Sequence, residues 1–379
     1  MDKINLIATS TFGIEATVKR EITSLGYDIT ASADGRLEFC GDAAAIARAN
    51  IWLRSADRVL LKMGEFTATT FDELFERTKA LPWESFITQD GHFTVVGKSI
   101  KSTLFSVPDC QAIVKKAVVE RLKTKYPVDW FDETGPKYKI QVALLKDVAT
   151  LTIDTTGDGL HKRGYRALTS AAPIKETLAA AMIELSYWRK HRILLDPMCG
   201  SGTIAIEAAL MAKNIAPGLE RTFVSEEWPQ IGKNIWDAAR EEARAAIFTS
   251  AIAPIFASDI DGKLIGQARD NAKKAGVERY IRFEKKPVAN LEILSEYGVM
   301  ISNPPYGQRL GQEDEILQIY ADLGRLFPKD TTWSMYIITS DNEFEQHFGR
   351  KATARRKLFN GATKTVYYQY HGPKPVRGI

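Results

Sequence analysis

A short apolar strand, a glycine turn and a helix follow one another between residues 193 and 211, and this order constrains the fold most. Ile193–Leu195 is the predicted strand, Asp196–Thr203 is the turn, and Ile204–Met211 is the helix. Such a turn brings backbone N–H groups close to a ligand. It has neither the Gly-Lys-Ser/Thr ending of a Walker loop nor the Gly-x-Gly-x-x-Gly dinucleotide fingerprint. The stretch predicts an α/β sheet that binds a ligand at the carboxyl ends of its strands.

A second predicted strand of the same sheet ends in carboxylates. The strand Ile255–Ala257 is followed by Ser258-Asp259-Ile260-Asp261 and then by a helix over Gly262–Ala275. A carboxylate at this position of a second strand is where the ribose hydroxyls of a nucleoside are held. The alternative is that Asp259 or Asp261 caps the following helix, which is the commoner role of an isolated aspartate and is compatible with ribose binding.

A third predicted strand, Gly298–Ile301, runs into Asn303-Pro304-Pro305-Tyr306. Two prolines cannot continue a central ladder, so the strand is expected to end there. The Asn303 side-chain oxygen and the Pro304 carbonyl can both accept hydrogen bonds from one planar NH2 group. Tyr306 can stack on the ring that carries this amine. The tetrapeptide favours methyl transfer to an exocyclic amine of a base, and an ordinary strand-to-loop turn is the alternative.

The last part of the chain predicts an antiparallel hairpin. The strand-like runs Ala352–Phe359 and Thr363–Tyr370 are joined by Asn360-Gly361, the strongest short-range hairpin signal. An alternating α/β sheet that is closed by such a hairpin matches the architecture of class I methyltransferases. Residues 217–246 interrupt the alternation, and we expect an insertion with a helix over about Lys233–Ala246.

The N-terminal third predicts two α+β modules in place of the α/β alternation. The first has the order strand 4–9, helix 13–25, strands 29–32 and 36–39, helix 43–53 and strand 59–67. This β-α-β-β-α-β order resembles a small ferredoxin-like domain, with any other small α+β module as the alternative. From about residue 70 the order becomes helix 71–80, strand 93–98, helix 109–125 and paired strands 140–145 and 148–153.

Positive charge is concentrated in this second module. Two acidic residues, Asp109 and Glu120, stand among seven basic ones: Lys98, Lys101, Lys115, Lys116, Arg121, Lys123 and Lys125. The excess of five positive charges fits phosphate contact as well as it fits a solvated helix face. Residues 157–166 (GDGLHKRGYR) then form a basic, turn-rich segment suited to a linker.

The C-terminal residues 350–379 are also basic. They contain eight lysines and arginines and no acidic residue. This charge predicts either a second contact with nucleic acid or a solubilising tail that protects an edge strand.

Composition excludes several other classes of protein. The 379 residues are 45% hydrophobic and 26% charged, as in a soluble globular protein, and the net charge of +4 does not identify a partner. The cysteines Cys40, Cys110 and Cys199 have neither metal nor redox spacing, and the five histidines are scattered. We therefore expect free thiols in a reducing cytoplasm and no metal site. The sequence shows neither a signal peptide nor an apolar run long enough for a transmembrane helix.

Several of these motifs together resemble one family. The segments DPMCGSGT at 196–203, SDID at 258–261 and NPPYG at 303–307 resemble those of THUMP-domain RNA methyltransferases. The segments GDGLHKRGYR at 157–166 and APIKETLAAA at 172–181 are more specific and extend the similarity to the bacterial 23S rRNA (guanine-N2)-methyltransferases of the RlmL family. The resemblance implies four parts: a ferredoxin-like domain over 1–68, a THUMP RNA-binding domain over 69–155, a linker over 156–171 and a Rossmann-like class I methyltransferase domain over 172–379.

The resemblance also implies S-adenosylmethionine as the cofactor. Its methionine part would be held by Asp196, the backbone of Cys199, Gly200, Ser201 and Gly202, and Thr203 at the start of the helix. Asp259 would bind the ribose hydroxyls beside Ile260. The family often has an aspartate that accepts from the adenine amino group, but this sequence has Pro287 there, which leaves the Val288 backbone to serve the adenine ring.

For catalysis the resemblance assigns the reacting amine to Asn303, Pro304, Pro305 and Tyr306. Two acceptors on the amine hydrogens favour a geometry in which the nitrogen lone pair points at the methyl group, and no covalent nucleophile is needed. The base has to be unpaired or flipped out of its stack. The predicted RNA contacts are Lys98, Lys101, Lys115, Lys116, Arg121, Lys162, Arg163 and Arg166.

Other activities share the same tetrapeptide. The first expectation is 23S rRNA as substrate, and a tRNA guanine-N2 enzyme is the next. Adenine-N6 DNA methyltransferases and glutamine methyltransferases of release factors also act on a planar NH2 group. From a different class, a non-catalytic RNA-binding or assembly protein is the remaining alternative.

Overall fold

The computed structural model describes residues 3–128, 130–166, 174–293, 295–305 and 313–375. The strands in these ranges are β1 (Ile4–Thr9), β2 (Ile29–Ala33), β3 (Arg36–Gly41), β4 (Arg58–Thr67), β5 (His92–Ile100), β6 (Lys137–Leu145), β7 (Val148–Asp154), β8 (Leu194–Asp196), β9 (Ile255–Asp259), β10 (Ile281–Lys285), β11 (Val299–Ser302), β12 (Ser334–Thr339), β13 (Ala354–Asn360) and β14 (Thr363–Tyr370). The helices are α1 (Glu15–Ser24), α2 (Ala43–Trp52), α3 (Phe71–Lys79), α4 (Val107–Lys125), α5 (Glu176–Glu184), α6 (Thr203–Ala212), α7 (Lys233–Ala245), α8 (Gly262–Lys274), α9 (Glu313–Leu326) and α10 (Phe344–Phe348).

The predicted strands and helices form close to their predicted bounds. Two features were not predicted: helix α10, and the short 3-10 turns such as Val224–Glu227. Helix α5 begins at Glu176. Three residues of its predicted start, 171–173, lie outside the described part of the chain.

The chain divides into two compact units, and each contains more than one segment of sequence. The first unit comprises residues 1–9, 19–160 and 221–242, and the second comprises 10–18, 161–220 and 243–379. The predicted division into four parts, with boundaries at residues 68, 155 and 171, is finer than these two units and stays a prediction.

The segment 221–242, which interrupts the α/β alternation, packs within the first unit. The Trp228 ring stacks on Tyr138 of β6 with ring centroids 4.9 Å apart, and the indole N–H donates to the Lys137 carbonyl at 3.0 Å. Both rings are about 1% exposed. Burial of two large aromatic rings is a strong contribution to packing, so the segment is anchored to β6 by this pair.

One seven-stranded sheet runs through the first unit in the order β2-β3-β1-β4-β7-β6-β5. Strands β1 to β4 with α1 and α2 form the predicted ferredoxin-like order, and the Asp34-Gly35 turn joins β2 to β3 with Gly35 at φ 70°. Strand β4 pairs antiparallel with β7, so the two predicted N-terminal modules share a continuous sheet. Helix α4 packs on β5 and β6 of this sheet, and α3 packs on α4.

The second unit contains the Rossmann-like sheet, in the order β10-β9-β8-β11-β12-β14-β13. Strands β10, β9, β8, β11 and β12 are parallel, whereas β14 pairs antiparallel with both β12 and β13. The predicted hairpin is confirmed, with its turn at Asn360-Gly361 and Gly361 at φ 63°. This mixed sheet is the predicted class I methyltransferase fold.

Apolar cores cover both faces of this sheet. Successive strand residues alternate between them: Leu194 and Val299 belong to the core on the side of α5, α6 and α8, while Leu195 and Met300 belong to the core on the side of α9 and α10. Strands buried on both faces are the signature of a covered parallel sheet. The cores therefore hold the strand ends, and the loops after them, in fixed relative positions.

Residues 10–18 also belong to the second unit, although they lie near the N-terminus. Ile14 is 1% exposed and packs in the same core as Leu358 of β13. Gly13 has φ 94°, and a Cβ atom at this position would lie 2.6 Å from the Lys357 carbonyl oxygen. Glycine is therefore needed both for the backbone conformation and for the close approach to β13.

Candidate active site

Three adjacent parallel strands bring the three predicted motifs to one edge of the sheet in the second unit. Leu194 of β8 pairs with Ile255 of β9 on one side and with Val299 of β11 on the other. The chain passes from β8 to β9 on one side and reaches β11 on the other, so this edge contains the point where the strand order reverses. Open α/β sheets bind ligands at this point. The residues that follow Asp196, Asp259 and Ser302 therefore face one candidate site.

Backbone hydrogen bonds fix the glycine turn. The Cys199 amide donates to the Ser258 carbonyl at 2.9 Å, and the Gly202 amide donates to the Cys199 carbonyl at 2.8 Å. Gly200 and Gly202 have φ values of 52° and 84°, which L side chains rarely adopt. A Cβ at Gly202 would lie 3.0 Å from the Ala268 Cβ, but among the described residues a Cβ at Gly200 would meet nothing within 4 Å. Gly202 thus permits packing on α8, and Gly200 leaves room for a ligand.

Side chains from other elements support the rest of this turn. The Asn271 amide of α8 donates to the Ser201 carbonyl at 3.0 Å. Thr203 begins α6, and its hydroxyl accepts a hydrogen bond from the Arg166 guanidinium at 2.8 Å. Burial raises the pKa of the Cys199 thiol, so this cysteine is not an activated nucleophile. The turn is therefore a preformed backbone cradle at a helix N-terminus, which favours negatively charged or hydrogen-bond-accepting groups.

Asp196 is buried at the end of β8 with one oxygen unsatisfied. It is 1% exposed, and its Oδ1 has no hydrogen-bond partner among the described residues. Burial holds the pKa of its carboxyl well above the ordinary value, against the Met198 backbone hydrogen bond and together with the charge of Asp259. A buried carboxyl without a partner is unfavourable unless a donor or cation is supplied. The ammonium group of the methionine part of S-adenosylmethionine fits this requirement.

Asp259 connects the second motif to the glycine turn. One carboxylate oxygen accepts from the Gly200 amide at 2.9 Å, and the other accepts from the Asp261 amide at 3.0 Å. The predicted capping role belongs to Asp261, whose side chain accepts from the Lys263 amide at 2.8 Å. Asp259 is 8% exposed, whereas the adjacent Ile260 is 69% exposed and offers an apolar surface at the same strand end.

The third strand end, after β10, also approaches Asp259. The Lys286 amide donates to the Asp259 carbonyl at 2.9 Å, which draws this loop towards the second motif. Pro287 then precedes a 3-10 turn that begins at Val288, whose side chain is 7% exposed. Proline has no N–H, so the backbone available to an adenine ring at this edge begins with Val288.

Asn303 follows β11 with its amide oxygen unpaired. This Oδ1 is buried and has no hydrogen-bond partner among the described residues, and neither has the Oγ of the preceding Ser302. Pro304 is buried and Pro305 is exposed. Tyr306, the fourth residue of the predicted catalytic motif, lies outside the described residues. An unpaired buried acceptor is costly, by roughly 1–3 kcal/mol, so this oxygen is a candidate acceptor for a hydrogen-bond donor of a substrate.

Sequence reasoning missed the residues that support this motif from behind. The Tyr320 hydroxyl of α9 donates to the Pro305 carbonyl at 3.3 Å and shares a hydrogen bond with the Thr339 hydroxyl at 2.9 Å. Tyr320 is 1% exposed. The helical spacing of Tyr320, Leu323 and Phe327 indicates a buried face, but it does not reveal which groups the hydroxyl contacts.

Two of the residues predicted to contact RNA, Arg163 and Arg166, are paired inside the fold. The Arg163 side chain is 2% exposed and lies 3.4 Å from the buried Glu207 carboxylate, which also accepts from the Tyr165 hydroxyl at 3.1 Å. Arg166 is 15% exposed and lies 3.3 Å from Glu176 while it bonds to Thr203. Both guanidinium groups are engaged by carboxylates inside the fold, so neither presents its charge to an RNA phosphate. Their position near the glycine turn makes them structural supports of the cofactor site.

The other predicted RNA contacts are more accessible. Lys98, Lys101, Lys115, Lys116 and Lys162 are exposed. Lys115 is weakly paired with Glu133 at 3.8 Å, and Arg121 is tied to Glu84 at 2.9 Å. Exposed lysines on long side chains can reach phosphates at little cost, whereas Arg121 would have to leave its carboxylate. In the described part of the chain, no group of three or more His, Cys, Asp or Glu residues is arranged to hold a metal ion. No helix in the described ranges is long and apolar enough to span a membrane.

Comparison with family models divides the chain in the same order as its sequence motifs. Residues 163–369 match the RMKL-like methyltransferase domain, residues 68–154 match the THUMP domain, and residues 5–60 match the RlmL ferredoxin-like domain. The chain is 52% identical over 372 residues to "Putative RNA methyltransferase YpsC" of Bacillus subtilis strain 168, covering 98% of this chain and 96% of the relative. It is 35% identical over 372 residues to "Ribosomal RNA large subunit methyltransferase K/L" of Syntrophotalea carbinolica, covering 95% of this chain and about half (52%) of that longer protein.

Two solved structures agree closely with this one. A "predicted N6-adenine-specific DNA methylase" from Listeria monocytogenes has a TM-score of 0.94 and 51% identity, covering 98% of this chain and 97% of that one. "SMU.472, a putative methyltransferase complexed with SAH" has a TM-score of 0.92 and 42% identity, covering 99% and 100%. The family models and these similarities cover nearly the whole chain, which therefore belongs to the RMKL-like methyltransferase family and carries an RlmL ferredoxin-like domain and a THUMP domain before its catalytic domain.

Proposed function

We propose that this protein transfers a methyl group from S-adenosylmethionine to the exocyclic N2 amine of a guanine in RNA, with 23S rRNA as the substrate. The observation that carries the proposal is the buried Oδ1 of Asn303, which has no hydrogen-bond partner among the described residues and lies at the end of β11, beside the strand that ends in the buried Asp196. The Asn303 oxygen can accept from an amine, and the Asp196 carboxylate can bind an ammonium group. A methyl donor and a planar NH2 group satisfy both.

The residues at the strand ends fit S-adenosylmethionine, and the family membership and a similar structure in complex with SAH support the same cofactor. When bound, the cofactor supplies an electrophilic methyl group on sulfur. Asp196 would bind its ammonium group, the turn around Gly200 would leave room for its methionine part, and Asp259 would accept from the ribose hydroxyls. Ile260 would offer apolar surface to the adenine ring, and the Val288 backbone would serve the edge of that ring.

Asn303 and Pro304 would act on the base. The exocyclic amine of guanine is a poor nucleophile because its lone pair is delocalised into the ring. Two carbonyl oxygens that accept its hydrogens favour a geometry in which the lone pair is free to attack, and positioning and exclusion of water supply most of the acceleration. Tyr306 would stack on the flipped base, as the sequence motif predicts. The amine proton leaves after transfer, and water is a sufficient acceptor.

Two observations support RNA as the substrate. The THUMP domain match covers residues 68–154, where Lys98, Lys101, Lys115 and Lys116 are exposed. Both curated relatives named above are called RNA methyltransferases, and one is named for the large ribosomal subunit. The assignment of guanine N2 as the methylated atom rests on the resemblance of the sequence motifs. The second candidate is adenine N6, because Asn-Pro-Pro-Tyr accepts any planar NH2 and a similar structure is titled as an N6-adenine methylase.

One experiment separates these activities. Purified protein is incubated with labelled S-adenosylmethionine and, separately, with unmodified 23S rRNA transcript, a tRNA transcript pool and duplex DNA, and the products are digested for nucleoside mass spectrometry. We expect N2-methylguanosine in 23S rRNA and none of it with the Asn303→Ala variant. If the product is N6-methyladenine, adenine replaces guanine as the assigned base. If only the tRNA is labelled, tRNA replaces 23S rRNA as the assigned substrate. Absence of transfer to any nucleic acid would contradict the proposed function.

A further inference from the structure

A cavity of about 340 Å³ opens in the second unit at the C-terminal ends of α9 and α10, away from the residues assigned above. Four basic residues line it, Arg325, Lys329, His347 and Arg350, together with the aromatic residues Phe327 and Phe348. No acidic residue is among the described residues that line it. A concave, cationic site of this size accommodates a phosphate-bearing group.

Two of the four basic residues are explained by the fold itself. Arg325 is ion-paired with Asp322 one turn earlier in α9, and the His347 Nδ1 lies 2.9 Å from the Asp341 carboxylate. Both also occupy the last turn of their helices. The positive charge of Arg325 interacts favourably there with the helix dipole, by about 0.3–1 kcal/mol. These two residues need no ligand to account for them.

Arg350 is different, because it is partly buried without a carboxylate partner among the described residues. Its guanidinium lies 5.6 Å from the Phe348 ring centre and 5.1 Å from that of Tyr370. Its hydrogen bonds go to neutral atoms, the Pro328 carbonyl at 3.3 Å and the Met335 sulfur at 3.5 Å. Burial lowers the pKa of Arg350, which is the mark of a desolvated cation. A guanidinium has five N–H donors, so most of them remain available to an anion.

Lys329 adds a second uncompensated charge at the same cavity. It is exposed just beyond the end of α9, and the described part of the chain provides no carboxylate within salt-bridge distance of it. Ala321 and Gly324 also line the cavity, and they lie one and four residues after Tyr320, whose hydroxyl contacts Pro305 of the catalytic motif. Tyr320 bonds to Thr339 at the end of β12, whereas Arg350 bonds to Met335 near the start of that strand, so the cavity extends from the catalytic edge towards the opposite edge of the sheet. At about 3.3 Å per residue these two levels are about 13 Å apart. A phosphate bound there therefore belongs to a nucleotide a few positions away from the methylated base.

We propose that this cavity binds a backbone phosphate of the RNA substrate, with Arg350 as its main donor and Lys329 as a second positive charge. The inference rests on the proposed RNA methyltransferase activity and deepens it by adding a substrate contact in the catalytic unit itself. It also gives one specific location to the nucleic-acid contact that the basic C-terminal segment suggested. An arginine beside two packed rings is suited to this task because its planar donors match two phosphate oxygens at once.

The test uses the full chain and unmodified 23S rRNA transcript as the probe. Lys329→Glu changes an exposed residue with little effect on folding. We expect RNA affinity to fall several-fold and the slope of log K against log salt to become shallower by roughly 1, because one phosphate contact is lost. Binding of S-adenosylmethionine should not change. Lys274→Glu is the matched control, since Lys274 is an exposed lysine in the last turn of α8 in the same unit and outside the cavity.

A second variant tests the principal donor. Arg350→Gln removes the charge and keeps a polar, planar end group on the side chain beside the rings, and a thermal melt establishes that the variant is folded. We expect the same loss of RNA affinity and the same shallower slope as in Lys329→Glu. Wild-type affinity and slope in both variants would overturn the inference while leaving the proposed function in place, provided that the wild-type protein binds and methylates the RNA. A wild-type protein that binds no RNA would overturn both.

Discussion

The Asp259 carboxylate accepts a hydrogen bond from the backbone amide of Gly200 at 2.9 Å, and this bond joins the end of β9 to the glycine turn after β8. A second bond from the Asp261 amide holds the other carboxylate oxygen at 3.0 Å. An ionised carboxylate has about four acceptor positions, so two remain for the hydroxyls of a ribose. The Asp259 side chain therefore fixes the glycine turn and can still accept hydrogen bonds from a ligand.

The first prediction follows from this double role. Asp259→Ala should weaken S-adenosylmethionine binding by roughly 1–3 kcal/mol, the usual cost of removing one partner of a buried hydrogen bond. Titration calorimetry measures the change. Asp261→Ala is the control, because that side chain caps α8 and its loss should lower thermal stability by about 1 kcal/mol with little effect on affinity. Equal affinity losses in the two variants would remove the ribose assignment from Asp259.

The second prediction concerns the buried Asp196. Replacing it with asparagine removes a buried carboxyl whose Oδ1 has no partner among the described residues, so the protein should become more stable without cofactor. Affinity for S-adenosylmethionine should fall by roughly 1.5–3 kcal/mol, because a hydrogen bond between charged groups is lost. Thermal melts with and without cofactor report both effects. A variant that loses stability and keeps affinity would contradict the role of Asp196 in binding the ammonium group.

Asp196 also determines the direction in which stability and cofactor affinity should change with pH. Its carboxyl has a folded-state pKa raised above the unfolded value, so its contribution to stability is fully present below the unfolded pKa and is lost as pH rises through the folded one. Cofactor affinity should change in the opposite direction, since the ionised carboxylate binds an ammonium group. In the wild-type protein affinity should therefore rise with pH across this range. The Asp196→Asn variant should lack this dependence, and a slope that persists in it must come from another group.

The third prediction concerns Asn303. Asn303→Ala should reduce the single-turnover rate by roughly 100-fold or more, the scale associated with removing one preorganised hydrogen-bonding group from a reacting centre. Folding, RNA affinity and most of the cofactor affinity should be retained, so the loss belongs to the chemical step. Ser302→Ala is the matched control, because it removes the neighbouring buried oxygen that also lacks a partner among the described residues. A wild-type rate in Asn303→Ala, measured with saturating RNA and cofactor, would refute the proposed mechanism.

Much of this architecture could be predicted because each motif is local. The strand–turn–helix order around Asp196 and the Asn360-Gly361 hairpin are encoded in a few consecutive residues, and both were confirmed. Interactions between distant segments could not be read in this way. The sequence does not indicate that Ile14 packs in the core of the second unit, nor that Trp228 stacks on Tyr138, because neither contact has a periodic signature.

The same reasoning applies to Arg163 and Arg166. In sequence they stand in a basic, turn-rich segment, and charge alone does not distinguish an exposed arginine from one that is paired inside the fold. Their carboxylate partners, Glu207 and Glu176, are 44 and 10 residues away, so the pairing becomes apparent only in three dimensions. The sequence predicts that Asn303 follows the end of a strand, and β11 does end at Ser302. Its role as an acceptor stays a prediction, and the lack of a partner for its Oδ1 among the described residues is a property of the packing around it.

The fourth prediction separates buried from exposed positive charge. The double variant Lys115→Ala with Lys116→Ala should weaken RNA binding and make its salt dependence shallower, because exposed lysines that contact phosphate release counterions. Arg163→Ala should instead lower the free energy of unfolding by about 3–5 kcal/mol, since it leaves Glu207 buried without its ion-pair partner. Filter binding at several salt concentrations and denaturant unfolding measure the two effects. An unchanged salt slope in the lysine variant would show that this helix face is only solvated.

The last prediction concerns the support of the catalytic motif. Tyr320→Phe removes the hydroxyl that donates to the Pro305 carbonyl at 3.3 Å and pairs with Thr339 at 2.9 Å, while the buried ring still packs edge-on against Phe344 at 4.9 Å. The protein should fold with a loss of about 1 kcal/mol, the net value of a typical hydrogen bond. The methyl-transfer rate should fall about tenfold without a change in cofactor affinity, because the Pro305 carbonyl and the adjoining acceptors are less well positioned. Thr339→Val, which removes the other hydroxyl, should produce a smaller effect, and the double variant should resemble Tyr320→Phe alone. Additive losses in single-turnover rate would mean that the two hydroxyls act independently and that Tyr320 does not position the motif through this pair.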